Sequence, residues 1–215
     1  MSMGGRHTLI GDMLLAATLL TAVAVVGVGM VAFTHQQTAE PIEARRQEQT
    51  LRQLNAVLPP QRYTNNPAAD TKEVRDPRLG TDGPVTTYRA RRHGEPEAVV
   101  LTVIAPDGYS GPIELLVAIN MDGNLAGVRV VEHRETPGLG DAIEAQRSDW
   151  IEGFQGRSLD DPPEEEWTVQ RDGGAFDQFT GATITPRAVV RAVARALDFY
   201  EDEAEMLFDT RREDN

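Results

Sequence analysis

A chain of 215 residues with no cysteine excludes disulfides, thiolate nucleophiles and cysteine-ligated iron–sulfur clusters, so any redox chemistry must come from a bound cofactor. The formal charge of −13 excludes the basic footprint expected of a nucleic-acid binder. The length suits one domain of ordinary size together with an anchor.

Residues 1–12 form a short leader to the first marked feature. Met13 to Phe33 is a run of 21 residues without a charge or a proline. As a helix it measures about 30 Å, the thickness of a bilayer's hydrocarbon core, and it is read as one N-terminal transmembrane helix. A cleaved signal peptide fits less well. Its apolar region would span about 7–15 residues before a small-x-small site, and the exit Val31-Ala32-Phe33-Thr34-His35 offers no convincing one. Arg6 and His7 precede the span, while Glu40, Glu43, Arg45 and Arg46 follow it. This charge distribution gives a slight preference for a cytoplasmic N-terminus. No second apolar run is long enough to cross, so the rest of the chain is expected outside, which in a Gram-negative cell is the periplasm.

Residues 34–84 are read as stalk and linker. Ile42, Leu51, Leu54 and Leu58 lie among charges in a helix-like pattern that Pro59-Pro60 ends. Gln61 to Pro84 is polar and rich in Pro, Asn, Asp and Gly, the signature of a long loop.

Residues 85–208 are read as the domain that carries function. Tyr88 to Arg92 and Val99 to Ile104 have strand character on either side of His93-Gly94-Glu95-Pro96. Ile113 to Asn120 and Leu125 to Glu132 flank Met121-Asp122-Gly123-Asn124 and predict an antiparallel hairpin. Asp141 to Phe154 carries Ile143, Trp150, Ile151 and Phe154 at broadly helical spacing, and Trp167 to Gln170 resembles a short strand. A closing helix places Val190, Val193, Leu197, Tyr200, Ala204 and Leu207 on one face. Strands in the middle with helices around them predict an α+β fold, an antiparallel sheet with flanking helices. Residues 209–215 read as an acidic tail.

Two constellations carry chemistry. Asp177-Gln178-Phe179-Thr180-Gly181-Ala182-Thr183 runs into Thr185-Pro186 and the closing helix. With Thr185 as N-cap and Pro186 as first helical residue, the turn bearing Thr183 faces unpaired N–H groups and the positive end of the helix dipole. A phosphate is stabilised in such a place, free or covalently attached. Taken alone, the stretch reads first as an ordinary turn and helix cap, because caps are common. The second constellation is His133-Arg134-Glu135-Thr136-Pro137-Gly138-Leu139-Gly140-Asp141, a constrained loop whose glycines let backbone approach a ligand, with Glu135 and Thr136 supplying polar side chains. Taken alone, it reads as a helix entry.

Together, and in this order, the two resemble the FMN-binding domain shared by the G subunit of Rnf-type ion-translocating electron transport complexes and the C subunit of the sodium-pumping NADH:quinone reductase. The likeness lies in the pattern Asp-x-x-(Ser/Thr)-Gly-Ala-(Ser/Thr) over Asp177 to Thr183, in Glu135-Thr136-Pro137-Gly138-Leu139-Gly140, and in Asp149-Trp150-Ile151 with Phe154. It is most secure from Gly108 to Val193.

The resemblance implies a phosphoester between Thr183 and FMN. It also implies that Thr180, Gly181 and Ala182 line the phosphate, that Asp177 serves recognition or activation during attachment, and that Glu135, Thr136 and Leu139 pack near the flavin. A separate flavin transferase using FAD and a divalent metal would install the group. The implied role is a flavoprotein subunit relaying electrons in a complex that couples their transfer to ion movement across the inner membrane, beside membrane-embedded subunits and not catalytic alone.

Three alternatives stand beside it: a cofactor-free anchored assembly module, an anchored hydrolase for which no nucleophile and base can be paired, and the quinone-reductase subunit. His133 at a strand end reads as structural, Glu164-Glu165-Glu166 as a solvated run, and Trp150 and Trp167 as core.

Overall fold

The computed structural model describes residues 5–208, apart from the side chains of residues 5–12, 34–44 and 46. The acidic tail at 209–215 lies outside the described residues. So do the side chains of Arg6, His7, Glu40, Glu43 and Arg46, whose charges bear on orientation.

Helix α1 runs from Gly5 to Val57. Within it Met13–Phe33 has a mean hydropathy of 2.4, and none of it is buried inside the protein. The polar groups in this run satisfy themselves locally. The Thr18 hydroxyl donates to the Leu14 carbonyl at 2.7 Å and the Thr21 hydroxyl to Ala17 at 2.8 Å. Such back-bonding lets threonine sit in hydrocarbon without an orphaned donor.

The folded unit begins at Gln49. It is built on a five-stranded antiparallel meander in the order β1 (Thr71–Val74), β2 (Val85–Arg92), β3 (Glu95–Ala105), β4 (Ile113–Asn120) and β5 (Leu125–Glu132). Two of the long hairpins turn where turn residues were expected. His93 and Gly94 both have positive φ (53° and 90°), the twist that a two-residue hairpin requires. Gly123 (φ 82°) closes the second, with Asn124 N donating to Asp122 Oδ1 at 3.0 Å.

Strand alternation sets up two cores. Register pairs Val99 with Ile119, Leu101 with Val117 and Val103 with Leu115, all fully buried on one face. Across that face lies α2 (Ile184–Phe208), presenting Ala188, Val189, Ala192, Val193 and Ala196. The opposite face buries Ala90, Ala98, Val100, Leu116 and Ala118 against Leu54, Val57 and Leu58, the last turn of α1 and the residue after it. Burying each of these Val and Leu side chains contributes about 1.5–3 kcal/mol. The approach of α1 is close. A Cβ on Gly127 of β5 would stand 2.7 Å from the Val57 carbonyl oxygen, so only glycine fits there.

The α+β class is as expected, and three local expectations are corrected. Gln61 to Pro84, read as a loop, contains β1 and the 3-10 turn Pro77–Leu79, and it is entered through a second such turn, Pro60–Arg62. Two links hold it down: Asp70 pairs with Arg89 (2.6 Å) and Arg91 (2.9 Å) of β2, and Val74 and Leu79 enter the core. Asp141 to Phe154 is two 3-10 pieces, Gly140–Ile143 and Asp149–Phe154, the second capped by Ser148 accepting from Trp150 N. Trp167 to Gln170 is no strand. It makes a single bridge, Val169 to Phe176, between 3-10 turns.

Candidate functional site

A cleft of about 470 Å³ opens where three connections converge at one end of the sheet. They are the turn after β3, the loop after β5 and the turn into α2. Its lining comprises Tyr109, Glu135, Thr136, Leu139, Gly140 and residues 181–185.

The loop after β5 is shaped by its own backbone. The Thr136 carbonyl accepts from Leu139 N at 3.1 Å and Gly140 N at 3.0 Å, closing a tight turn over Pro137 and Gly138. Gly138 sits at φ 78° and donates its N–H to Asp141 Oδ1 at 2.8 Å. His133 holds the start of the loop. Its Nδ1 accepts from Glu135 N at 3.1 Å, so the ring proton belongs on Nε2, which faces Glu144 Oε1 at 2.7 Å. Both ring nitrogens are thus engaged in holding the loop, the structural role expected from sequence.

Glu135 is 4% exposed. Ser110 N donates to Oε1 at 2.9 Å, and the Thr185 hydroxyl donates to Oε2. One carboxylate therefore ties together all three connections. Gly140 makes room for it, since a Cβ there would lie 2.8 Å from Glu135 Cβ and 3.0 Å from its Oε2.

The third connection carries the small-residue motif. Ala182 N donates to the Phe179 carbonyl at 3.3 Å, and Gly181 adopts φ 86°, a left-handed conformation that favours glycine. A Cβ at Gly181 would meet Leu139 Cδ2 at 3.1 Å, narrowing the cleft from within. Phe179 anchors the turn against Trp150 at 5.0 Å between ring centroids, and Trp150 Nε1 donates to the Asp177 carbonyl at 2.8 Å. Trp150 continues into an aromatic cluster with Phe154, Phe176 and Trp167. Both tryptophans pack there, away from the cleft lining.

Helix α2 begins at Ile184, two residues earlier than a Thr185 cap would allow. Thr183 therefore stands immediately before the helix, half-buried in the cleft wall. Thr185 lies within the first turn, where its hydroxyl serves Glu135. Pro186 also falls in the first turn, where a missing N–H costs nothing.

Of the residues singled out from sequence, the fold brings Glu135, Thr136, Leu139, Gly181, Ala182 and Thr183 around one cavity. Thr180 and Asp177 are exposed on the outer side of the same turn, and neither lines it. Sequence reasoning missed Tyr109 and Ile184. From Gln49 onward four large apolar side chains are exposed among the described residues, and three of them, Tyr109 (66%), Leu139 (44%) and Ile184 (45%), ring this cleft. A lone aromatic after the Pro106-Asp107-Gly108 turn was the only available signal for Tyr109. Arg191 of α2 pairs with Asp107, fixing that turn beside the helix start.

Chemically, the cleft offers a hydroxyl at the positive end of a 25-residue helix, small residues beside it, and an apolar rim. Among the described residues no group of three or more His, Cys, Asp or Glu is gathered to hold a metal. These features fit a phosphate-bearing flat heterocycle: phosphate at the helix start, ring against Tyr109, Leu139 and Ile184. FMN has that form, and a side chain at Gly181 would press on Leu139 across the cleft.

Comparison with known proteins agrees with this geometry. Residues 108–198 match the FMN-binding domain family, and residues 6–57 match the RnfG N-terminal region. The G subunit of the ion-translocating oxidoreductase complex of Pseudomonas aeruginosa (strain UCBPP-PA14) is 50% identical over 197 residues, covering 91% of this chain and 92% of the relative. The protein of the same name from Vibrio cholerae serotype O1 (strain ATCC 39541 / Classical Ogawa 395 / O395) is 46% identical over 190 residues, covering 88% and 90%. That of Shewanella baltica (strain OS223) is 41% identical over 191 residues, again covering 88% and 90%. With relatives this similar over nearly the whole length, the chain belongs to the family of G subunits of ion-translocating oxidoreductase complexes.

Proposed function

We propose that the chain is the membrane-anchored flavoprotein subunit of an Rnf-type complex, carrying FMN as a phosphoester on Thr183 and relaying electrons between neighbouring subunits. The observation that carries this reading is the position of Thr183. Its side chain lines the cleft at the start of α2, within the segment matched to the FMN-binding domain.

When bound, the flavin supplies chemistry that accepts two electrons or passes one at a time, linking carriers of different stoichiometry. The residues of this chain hold and surround it. The N-terminal N–H groups of α2 offset the phosphate's charge, and Gly181 and Ala182 keep side chains out of its way. Tyr109, Leu139 and Ile184 cover apolar surface. Thr136 sits at the exposed lip, and the His133–Glu144 contact keeps the loop in register. Thr180 and Asp177, on the outer surface of the turn, are placed for recognition by the flavin transferase.

A threonine hydroxyl is a weak nucleophile at neutral pH, and the cleft has no histidine among its lining residues. As the family resemblance implies, a separate flavin transferase with FAD as donor would carry out the attachment. Thr183 Oγ1 would take the FMN moiety from FAD, with AMP as the leaving group and the hydroxyl proton passing to the medium. Coupling to ion movement belongs to the complex. The inner membrane, with residues 34–215 on the periplasmic side, is the proposed location. There a covalent bond prevents loss of a cofactor that could not be replaced from the cytoplasm.

Intact mass of the full chain co-produced with the transferase tests this directly. A gain equal to FMN minus water is expected, with flavin fluorescence remaining on the denatured polypeptide. Thr183→Ala should lose both signals. Retention of both by Thr183→Ala would reassign the attachment site, and absence of both from the wild type would remove the flavin altogether.

A further inference from the structure

On the reading that the cleft holds FMN, we infer that Glu135 is the fixed negative charge of the cleft and makes any cofactor bound there harder to reduce. Glu135 is nearly fully buried yet lines the cavity. Its two oxygens accept from the Ser110 N–H and the Thr185 hydroxyl. Both donors are dipoles and not charges. Among the described residues the carboxylate has no ion-pair partner. Arg147 is paired with Asp141 at 3.4 Å.

The carboxylate is also immobile. Three chain segments grip it, His133 holds its backbone N–H, and Gly140 leaves no slack behind it. A flexible surface carboxylate would swing away from negative charge and be screened by water. This one keeps its place. Electrons added to the cleft's occupant increase its negative charge, and a fixed like charge opposes that. At an effective dielectric of about 20, a fixed unit charge in the cavity wall shifts a one-electron equilibrium of the occupant by more than tenfold. The open mouth of the cleft reduces this to about tenfold.

A brace between three loops could be built from a neutral glutamine, which has the same length and can accept from Ser110 N. The rival explanation is therefore that Glu135 is a brace alone, and a reduction potential separates the two because a brace does not move it.

The experiment uses the full chain in detergent, flavinylated by co-production with the transferase, with loading measured by intact mass before any titration. Glu135→Gln is expected to raise the midpoint potential by the equivalent of about tenfold, which is 59 mV for a one-electron couple and about 30 mV for a two-electron couple. Glu135→Asp keeps the charge and should stay near the wild-type value. A loaded Glu135→Gln protein with unchanged potential overturns the inference while leaving the flavin assignment standing. Equal shifts in the Gln and Asp variants also overturn it, because shape and not charge would then be responsible. Should Glu135→Gln escape flavinylation, Thr183→Ala and Thr183→Ala/Glu135→Gln reconstituted with free FMN give the same comparison. A wild-type chain that takes up no flavin overturns both the inference and the reading beneath it.

Discussion

Thr185, in the first turn of α2, donates its hydroxyl to Glu135, fifty residues earlier in the chain, and both side chains are buried. The bond joins the helix start to the loop after β5 and leaves no spare donor on the Oε2 side of the carboxylate. Thr185→Val keeps the shape and removes the donor. Stranding a buried acceptor in this way should cost about 1–3 kcal/mol, read as a lower urea midpoint, while Thr185→Ser should retain most of the stability. Equal behaviour of the Val and Ser variants would show that the bond contributes nothing.

Gly181 tests the shape of the cleft floor. Its φ of 86° disfavours any side chain, and a Cβ would press on Leu139. Gly181→Ala should lose about 1–2 kcal/mol from the left-handed backbone alone and also lower the ratio of bound flavin to protein. Adding Leu139→Ala relieves the contact but not the backbone, so loading should recover further than stability. Recovery of both to the same degree would mean that the contact dominates.

Gly127 reports on the other face of the sheet. The obstruction to a side chain there is the Val57 backbone carbonyl, so no compensating truncation can relieve it. Gly127→Ala should destabilise by about 1–3 kcal/mol in thermal or urea unfolding and leave the flavin's absorption spectrum unchanged. A neutral result would mean that the end of α1 does not pack as closely as described.

A pH effect follows from Glu114, which faces Glu132 across β4 and β5. Burial, and then the charge of Glu132, push its carboxyl above the ordinary glutamate range. The folded state then holds this proton more tightly than the unfolded chain does. The resulting contribution to stability is fully present below the unfolded pKa, about 4.3, and is lost as pH rises through the folded value. Glu114→Gln should therefore stabilise the domain at pH 7 and give little gain at pH 4. Urea midpoints at the two pH values check this, and a gain that is the same at both would rule the pair out as its source.

The strands and helices with strong apolar periodicity were legible in the sequence, and so was most of the cleft. Val99 to Ile104 and the Asp122-Gly123 turn declare themselves because a buried face and a turn each demand particular residues. β1 was missed for the opposite reason. Thr71, Lys72 and Glu73 lie at a sheet edge, held by register with β2 and by Asp70's ion pairs, and none of these is visible in a four-residue window. Ile143, Ile151 and Phe154 are all buried, but their spacing came from two separate 3-10 turns that happen to pack on one core. At the site, the motif residues were found because small residues and a hydroxyl before a helix have a direct physical reading. Tyr109, Ile184 and the service of Thr185 to Glu135 needed three distant connections to be brought together, and single-segment patterns carry no such information.

Leu54, Val57 and Leu58 have a practical bearing on any attempt to excise the part of the chain beyond the bilayer. A water-soluble fragment that starts at the proline pair Pro59-Pro60 discards all three and uncovers Ala98, Val100, Leu116 and Ala118, giving a sticky sheet liable to self-associate. Cutting just ahead of Gln49 preserves the plug, so the severed product would keep its own lid.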